Sequence, residues 1–462
     1  MRGGRFSRRT GLAGLGGLVV AALTGCGVIP GARARPITED WLDSRPWVAS
    51  FSIVRTEGWG PVPLPTPLTV WARVHTVAGT DRPRLTAIAR EVEEFVAAES
   101  GQVRALYLDL DFDAGRLPLG GDAAQNQANL AEIDRATEPR ADRLELVGEH
   151  DGPRLTVTTR SEAVLAYAAW LTAQSAAPTP PRLTVRDGAD ALRIDTAFGH
   201  TAAVRSIDEV VSTASALAPV LGFHADTTRE TTTLRTTVSR RGDLDRVFRA
   251  IRSRWSRTDL DVTVLADGLG VRGSLDVLER LPAANALIAA AAFTELVVQD
   301  AEEATQGLIH LVARLTDPAT IAAAATAIGA HPDATGSGRA WLVLDPIARL
   351  RLAGSPADVA DCGGPAQAVL TGPGSRPSAD GRDRALRLTP DAPVAAFPAV
   401  ARAIRAAGWT GELAFTIDQG LFSVRYASTA TGRAREVTVL RSVGTIDGAA
   451  AWIRAWDDSA TE

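Results

Sequence analysis

Hydrophobic positions along this chain follow two different periods, one close to the helical repeat and one of two residues. Helical spacing predicts helices over residues 85–99, 163–173, 208–217, 244–255, 275–292, 318–328 and 394–407. Alternating runs between them predict strands, and pairs such as Asp267-Gly268 favour tight hairpin turns. The pattern therefore predicts an α+β fold of tandem small modules, each a helix plus an antiparallel β-hairpin, in sheets with helices on one face.

Two of these modules repeat each other at a fixed distance. The helix segment Arg249-Ala250-Ile251-Arg252 and the strand starting at Leu260 recur as Arg402-Ala403-Ile404-Arg405 and the strand starting at Leu413, both 153 residues later. Each copy then turns through Gly-Leu and leaves on a strand ending in Val-Arg. This repetition predicts that the same supersecondary unit is used more than once.

The less regular N-terminal region contains predicted strands near 49–55, 69–76 and 104–112. Stretches rich in Ala, Ser, Thr, Pro or Gly at 173–181 and 372–383 favour boundaries. The predicted organisation is a signal peptide over 1–25, a lipidated tether over 26–46, an N-terminal α+β domain over 47–176, and α+β modules over 177–300 and 301–462.

The segment from Val262 to Gly273, followed by a predicted helix and a strand at 295–298, resembles the hairpin and second helix of a BON module. The resemblance covers residues 244–298. It implies an exported α+β module of a kind that associates with membranes or envelope polymers.

The first residues are typical of a secretory signal. A basic head with Arg8 and Arg9 precedes an uncharged stretch from Gly11 to Leu23, too short for a spanning helix of about 20 residues. It ends in Leu23-Thr24-Gly25-Cys26, which resembles a lipobox. The resemblance implies that a diacylglycerol is attached to the Cys26 thiol and that the chain is cut just before it, as in exported bacterial lipoproteins. A signal cut elsewhere, with Cys26 a bystander, is the alternative.

The export route is left open by the same residues. Ser7-Arg8-Arg9 and the glycines of the apolar stretch resemble a twin-arginine signal, but Gly11, Leu12 and Ala13 depart from its usual continuation. The general secretory route is the alternative. Two acyl chains give a stable membrane anchor by either route.

Composition changes the picture mainly through charge. The formal net charge is -5, and removal of residues 1–25 deletes four arginines and no acidic residue, which leaves -5 - 4 = -9. A body with this much negative charge binds nucleic acid poorly, because the phosphates are also negative. We therefore expect no nucleic acid among its partners. All 49 basic residues are Arg, and this bias is typical of a GC-rich genome such as an actinobacterium's.

The chemistry suggested by motifs is limited. The chain has no Lys, which excludes a Walker loop, a Ser-x-x-Lys motif and a Schiff base. Cys362 lies in a sequence that favours a turn, Asp361-Cys362-Gly363-Gly364-Pro365, where it is either a small buried hydrophobe or a nucleophile. No cofactor is expected.

Three carboxylates at alternating positions are the candidates for a metal site. In a strand, Asp109, Asp111 and Asp113 share one face, where they could bind Ca²⁺. The alternative is an amphipathic strand with a solvated acidic face, because an EF-hand loop would need Gly in place of Ala114 and Glu in place of Gly120.

Four of the ten tryptophans lie close together near the N-terminus: Trp41, Trp47, Trp59 and Trp71. They either form an exposed surface that stacks on sugars or faces a membrane, or they cap a core.

Together these patterns predict a membrane-anchored envelope lipoprotein with a binding or scaffolding role, facing outside the cytoplasm. Its partners are then the membrane, through the anchor, and an envelope protein or polymer. The alternative is an extracytoplasmic enzyme or ligand-carrying protein whose site is assembled from distant residues.

Overall fold

The computed structural model describes residues 33–57, 67–137, 141–149, 152–174, 181–256, 260–300, 309–335, 338–344, 349–373, 377–382, 385–390, 392–408, 412–419, 422–429, 436–441 and 447–459. The chain divides into two compact units. The N-terminal unit runs to Tyr167 and includes Gln174–Gly188, and the C-terminal unit contains Ala168–Ala173 and everything from Ala189 onward. The division passes through α4 (Val164–Thr172).

The N-terminal unit alternates hairpins with helices. Its elements in chain order are α1 (Ala34–Asp43), β1 (Val48–Glu57), β2 (Leu68–Thr76), α2 (Arg82–Ala98), β3 (Val103–Phe112), β4 (Gly115–Gly120), α3 (Ala123–Ala136), β5 (Ala141–Glu149), β6 (Gly152–Thr159) and β7 (Arg182–Asp187).

The C-terminal unit continues the same alternation. Its elements are β8 (Leu192–Thr196), α5 (Thr201–Leu217), β9 (Val220–Asp226), β10 (Thr232–Val238), α6 (Leu244–Arg252), β11 (Leu260–Ala266), β12 (Leu269–Arg272), α7 (Leu281–Ala290), β13 (Glu295–Asp300), β14 (Ile309–Leu315), α8 (Ile321–Ala330), β15 (Ala340–Leu344), β16 (Leu350–Gly354), α9 (Pro356–Leu370), β17 (Ser378–Arg382), β18 (Ala385–Thr389), α10 (Phe397–Ala406), β19 (Glu412–Gln419), β20 (Phe422–Thr429), β21 (Glu436–Arg441) and α11 (Asp447–Asp458).

Within each unit the strands pair in chain order. Strands of one hairpin are antiparallel, as predicted, for example β3 with β4 and β11 with β12. Successive hairpins join in parallel, for example β2 with β3 and β16 with β17, with a helix between them. The helix between two hairpins carries the chain back to the end of the sheet at which the preceding strand began. The next strand therefore runs in the same direction as that strand. The sheets are therefore mixed: the sequence had predicted the antiparallel hairpins and not the parallel joins between them.

Helices cover one face of the sheet, as the alternating pattern predicted. In β3 the side chains of Leu106, Leu108 and Leu110 are buried, whereas Tyr107 on the opposite face is 51% exposed. Burial of each such leucine contributes about 2 kcal/mol to stability. We call the uncovered side of each unit's sheet its open face.

Helix starts follow ordinary capping chemistry. Asp81 accepts a hydrogen bond from the backbone N–H of Arg84 at the start of α2, and Asp122 does the same for Ala124 and Gln125 at the start of α3. These contacts satisfy N–H groups that have no partner within the helix.

The hairpin and repeat predictions are confirmed in the C-terminal unit. Asp267 and Gly268 both adopt positive φ, 50° and 79°, in the two-residue turn between β11 and β12. The repeated segments fall on equivalent elements, since α6, β11 and β12 correspond to α10, β19 and β20. The segment that resembles a BON module thus contains a helix, a hairpin, a second helix and a strand.

Several elements differ from the sequence-based expectation. Helix α1 lies within the predicted tether and buries Ala34, Thr38 and Leu42. The predicted turn around Cys362 is wrong, because this segment lies inside α9. The stretch at 372–383, which favoured a boundary, contains β17, and β17 pairs with strands on both sides.

No helix among the described residues is long and apolar enough to cross a membrane.

Candidate functional site

Charges on the open face of the N-terminal unit are matched across strands. Asp109 on β3 forms an ion pair with Arg116 on β4 and lies 3.7 Å from the guanidinium of Arg73 on β2. Asp111 accepts a hydrogen bond of 2.8 Å from Arg143 on β5. The period-two prediction thus placed Asp109 and Asp111 correctly on one face, and their partners are arginines of the neighbouring strands.

The third carboxylate of the predicted metal site lies elsewhere. β3 ends at Phe112, so Asp113 belongs to the turn, where its side chain accepts a hydrogen bond of 2.6 Å from the backbone N–H of Gly79. Within the residues that the structure describes, no three His, Cys, Asp or Glu side chains converge as a metal site would require. Each of the three aspartates has an arginine or a backbone N–H as its partner in this arrangement.

A histidine does meet one of these aspartates. His75 Nδ1 lies 3.5 Å from Asp111, directly across the parallel pair of β2 and β3. Because Arg143 already binds the same carboxylate, the pair belongs to a row of matched surface charges.

Charges on several strands of the C-terminal unit's open face are matched in the same way. Arg272 on β12 donates to Asp261 on β11 at 3.0 Å, and Arg314 on β14 donates to Glu295 on β13 at 3.2 Å. Such partly exposed pairs contribute little to stability, about 0 to 1 kcal/mol each, but they leave no net charge.

On the strands from β15 to β18 the matching is incomplete, because Arg351 and Arg387 have no ion-pair partner among the described residues. Two rows cross the open face there in register. One row contains Arg351, Asp380 and Arg387, and the other contains Trp341, Ala353 and Arg382. Together with Arg339, which precedes β15, these residues line a concavity of about 640 Å³ that we call the arginine cleft.

The cleft exists because small residues alternate with arginines. Ala353 on β16, Ala385 on β18 and Ala414 on β19 all line it, and none of them fills the space between the longer side chains. The arginines form its walls. An alternation of long and short side chains on one face of a sheet therefore produces a depression without any break in the strands.

The cleft carries a local excess of positive charge in an acidic protein. Among the described lining residues, the four arginines Arg339, Arg351, Arg382 and Arg387 outnumber the one carboxylate, Asp380, which gives 4 - 1 = +3. Asp380 lies between Arg351 and Arg387 in the strand register. Even so, neither of these two arginines forms a hydrogen bond or an ion pair within the described part of the chain.

One wall of the cleft is aromatic. The Trp341 ring is half-buried and meets the His310 ring edge to face, with centroids 4.3 Å apart. His310 is buried, and its Nδ1 accepts a hydrogen bond of 3.2 Å from the backbone N–H of Arg339. These contacts hold Trp341 against the cleft and leave part of its surface accessible.

A second concavity lies in the N-terminal unit, where the strands β4 and β5 separate. β4 pairs with β5 only at Gly115 and Arg116, and the next possible register positions include Pro118, which has no N–H to donate. The space that opens is about 660 Å³, and we call it the notch. Its lining includes Tyr107, Pro118, Gly120, Gln125 and Pro153.

Amide side chains of α3 replace the missing strand partner. Asn126 both accepts from the N–H of Gly120 and donates to its carbonyl, at 2.8 and 2.7 Å, and Asn129 donates to the carbonyl of Pro118 at 2.9 Å. The exposed edge of β4 is thereby satisfied by its own chain, so it is a poor template for another strand.

Of the tryptophans near the N-terminus, Trp41 and Trp47 pack on the core and Trp71 lies on the open face. Trp47 is buried and donates a hydrogen bond of 2.9 Å to Glu91, and Trp41 stacks on Phe95. Trp71 lies on the open face and stacks on Tyr107, with ring centroids 5.6 Å apart. Trp59 lies outside the described residues, as does Cys26.

Cys362 is a buried group of α9. Its side chain is 2% exposed, and burial, with the charges of Asp358 and Asp361, raises the pKa of its thiol to about 12. A thiol with that pKa is protonated at neutral pH and is a poor nucleophile.

The sequence pattern missed both concavities. Arg351 occupies an ordinary outward position of an alternating run, Arg382 lies in the stretch at 372–383 that favoured a boundary, and nothing local marks these two and Arg387 as a group. Only the register between strands brings them together. The one available signal was the lack of acidic residues in Leu350–Leu352 and Ala385–Leu388.

Comparisons with protein-family models, with curated proteins and with solved structures find no match. The α+β class, with helices packed on sheets, is thus defined by the structure itself.

Proposed function

We propose that this protein is a membrane-anchored envelope lipoprotein that binds a phosphate-bearing ligand in the arginine cleft and has no catalytic role. The single observation that supports the proposal is the unmatched pair Arg351 and Arg387 on a face where other arginines are matched by carboxylates. A surface that neutralises most of its charges and leaves a few clustered ones is suited to a charged ligand.

Phosphate is the ligand group that fits best. Guanidinium groups bind phosphate oxygens through two parallel hydrogen bonds, and arginines from several strands can surround one such group. Asp380 in the middle of the cleft disfavours a ligand whose negative charge is spread evenly. It favours one with separated phosphates that contact Arg351 and Arg387 on either side.

The proposed anchor would determine which phosphate groups lie within reach of the cleft. A diacylglycerol on Cys26 would keep the body at the outer surface of the membrane, where phosphates occur in lipid headgroups and in phosphodiester polymers of the envelope. Both sources offer the same chemistry to the cleft. Because the body as a whole is acidic, we expect a local contact at the cleft and no broad electrostatic attraction to the membrane.

The test compares three purified proteins with two probes. In a Cys26→Ala background, which removes the anchor, the double variant Arg351→Gln/Arg387→Gln is compared with the unaltered cleft. The probes are phosphatidylglycerol vesicles and soluble poly(glycerol phosphate). A matched control, Arg84→Gln/Arg205→Gln, removes the same charge from exposed positions on helices.

We expect the cleft variant to bind its probe at least about tenfold more weakly, since each charge-assisted hydrogen bond contributes roughly 1.5 to 3 kcal/mol. The control variant should bind as the parent does. Preference for the vesicle or the polymer identifies the source of the phosphate. Equal loss in the two double variants, or no binding of either probe, would contradict the proposal.

A further inference from the structure

The aromatic side chains on the open face of the N-terminal unit form a row in strand register. Arg55 on β1 pairs with Trp71 on β2, which pairs with Tyr107 on β3. The Arg55 guanidinium lies 4.1 Å from the centre of the Trp71 ring, and the Trp71 and Tyr107 rings stack at an interplanar angle of 21°. Trp71 is therefore covered on both sides, by a cation and by a ring.

Tyr107 ends this row with one ring face uncovered. Its partner in register on β4 is Gly120, which has no side chain. A Cβ at Gly120 would lie 3.8 Å from Tyr107 Cδ1, so a side chain there would contact the ring. Since β4 and β5 have already parted at this point, the uncovered face of Tyr107 borders the notch.

The polar groups around that ring face are mainly hydrogen-bond acceptors. Asp122 uses Oδ1 to cap α3, and Gln125 uses its Nε2 to donate to Asn129. Asp122 Oδ2 and Gln125 Oε1 have no donor among the described residues. The lining also contains Arg104, whose charge balances that of Asp122.

We propose that the notch binds a neutral sugar ring, stacked on the uncovered face of Tyr107. A pyranose or furanose ring offers an apolar C–H face to an aromatic side chain and hydroxyl donors around its edge. Those donors match the acceptors of Asp122 and Gln125, whereas an anionic group would meet the carboxylate of Asp122. A volume of about 660 Å³ holds one or two such rings.

This site is independent of the arginine cleft. It lies in the other unit, it has balanced charge, and its ligand is recognised by stacking and hydroxyl groups. Failure of one proposal therefore leaves the other standing.

The experiment is saturation-transfer difference NMR on the full-length protein in a non-glycosidic detergent. The probes are chitotriose, maltotriose and an arabinofuranose oligosaccharide, each used separately. We expect saturation of ring C–H protons by at least one probe. Titration of that probe should then show roughly tenfold weaker binding in Tyr107→Ala, the loss expected from one aromatic contact.

Three further variants separate stacking from a general loss of structure. Tyr107→Phe keeps the ring and should bind as the parent does. Asp122→Asn keeps a capping oxygen but removes a carboxylate acceptor, so it should bind several-fold more weakly. Val147→Ala, on the same open face but outside the notch, should have no effect.

Absence of saturation with all three probes would overturn the proposal. So would saturation that Tyr107→Ala leaves unchanged, because the sugar would then contact another part of the protein.

Discussion

At the scale of single residues, the open faces show how a sheet covered on one side carries many charges at little energetic cost. Arg143 lies between Asp111 and Glu145, and side-chain hydrogen bonding to Glu145 raises the pKa of its guanidinium. The period of two fixed which residues face outward. It could not identify the partners, because cross-strand neighbours depend on register between segments far apart in sequence.

One buried carboxylate stands apart from these matched pairs. Glu132 on α3 is 6% exposed, its Oε2 has no hydrogen-bond partner among the described residues, and Arg135 lies 3.6 Å from Oε1. Burial raises the pKa of Glu132, and the charge of Arg135 offsets part of that effect. The ionised form is therefore a destabilising element of the fold at neutral pH.

Replacement of Glu132 by Gln should stabilise the protein by about 1 kcal/mol at pH 8, the lower end of the cost of a buried unsatisfied acceptor. Because the folded pKa lies above the unfolded value, the penalty is absent below the unfolded pKa of about 4.3 and develops as pH rises through the folded pKa. The gain should therefore disappear towards pH 4.

Thermal unfolding of Glu132→Gln and the parent at pH 4, 6 and 8 measures this dependence. Glu94→Gln, an exposed position on α2, is the matched control and should change little at any pH. A gain that is the same at all three pH values would show that ionisation of Glu132 is not its cause.

At the scale of elements, the hairpin of β11 and β12 and most helices followed from periodicity, whereas α1, α3 and α9 did not. The α9 segment Gly363-Gly364-Pro365 favours a turn on local grounds, because glycine and proline are poor helix formers. Tertiary packing overrides that preference. A Cβ on Gly363 would lie 2.3 Å from the Cβ of Ala325 on α8, so only glycine permits this approach of the two helices.

The change Gly363→Ala should destabilise the protein by about 2 kcal/mol. Alanine gains about 1 kcal/mol of helix propensity, but the methyl group would force apart two closely packed helices, which costs typically 1 to 3 kcal/mol and more where backbone must move. Urea unfolding of the C-terminal unit, followed by tryptophan fluorescence, measures the difference.

Gly242→Ala provides the comparison, since a Cβ there meets nothing within 4 Å. That variant should change stability by no more than a few tenths of a kcal/mol. A stabilised Gly363→Ala protein would mean that α8 and α9 are farther apart than the structure places them.

At the scale of the whole molecule, the sequence predicted the α+β class and a succession of small modules, and the structure has both. It did not predict parallel joins, because nothing in a hairpin's own residues records the direction of the next strand. The arginine cleft was unpredictable for the same reason, since it combines residues of β15 to β18 that only the sheet brings together.

The membrane anchor is the prediction that belongs to this scale. Cys26→Ala should move the protein from the membrane fraction to the soluble extracytoplasmic fraction and remove the mass of a diacylglycerol, because the acyl chains alone would hold it. Intact mass and fractionation in the native type of host test both effects. Cys362→Ala is the control and should leave location and lipid mass unchanged.

The in-order pairing of strands within each unit has a consequence for how the chain reaches its native state. Each strand finds its partners among its nearest neighbours in sequence, so loops closed during folding are short, and short closures are fast. A hairpin that has just left the ribosome can dock at once on the one before it, and the sheet can grow at a single moving edge. Such a chain can finish folding soon after synthesis ends, because little of its strand pairing has to wait for distant parts of the sequence.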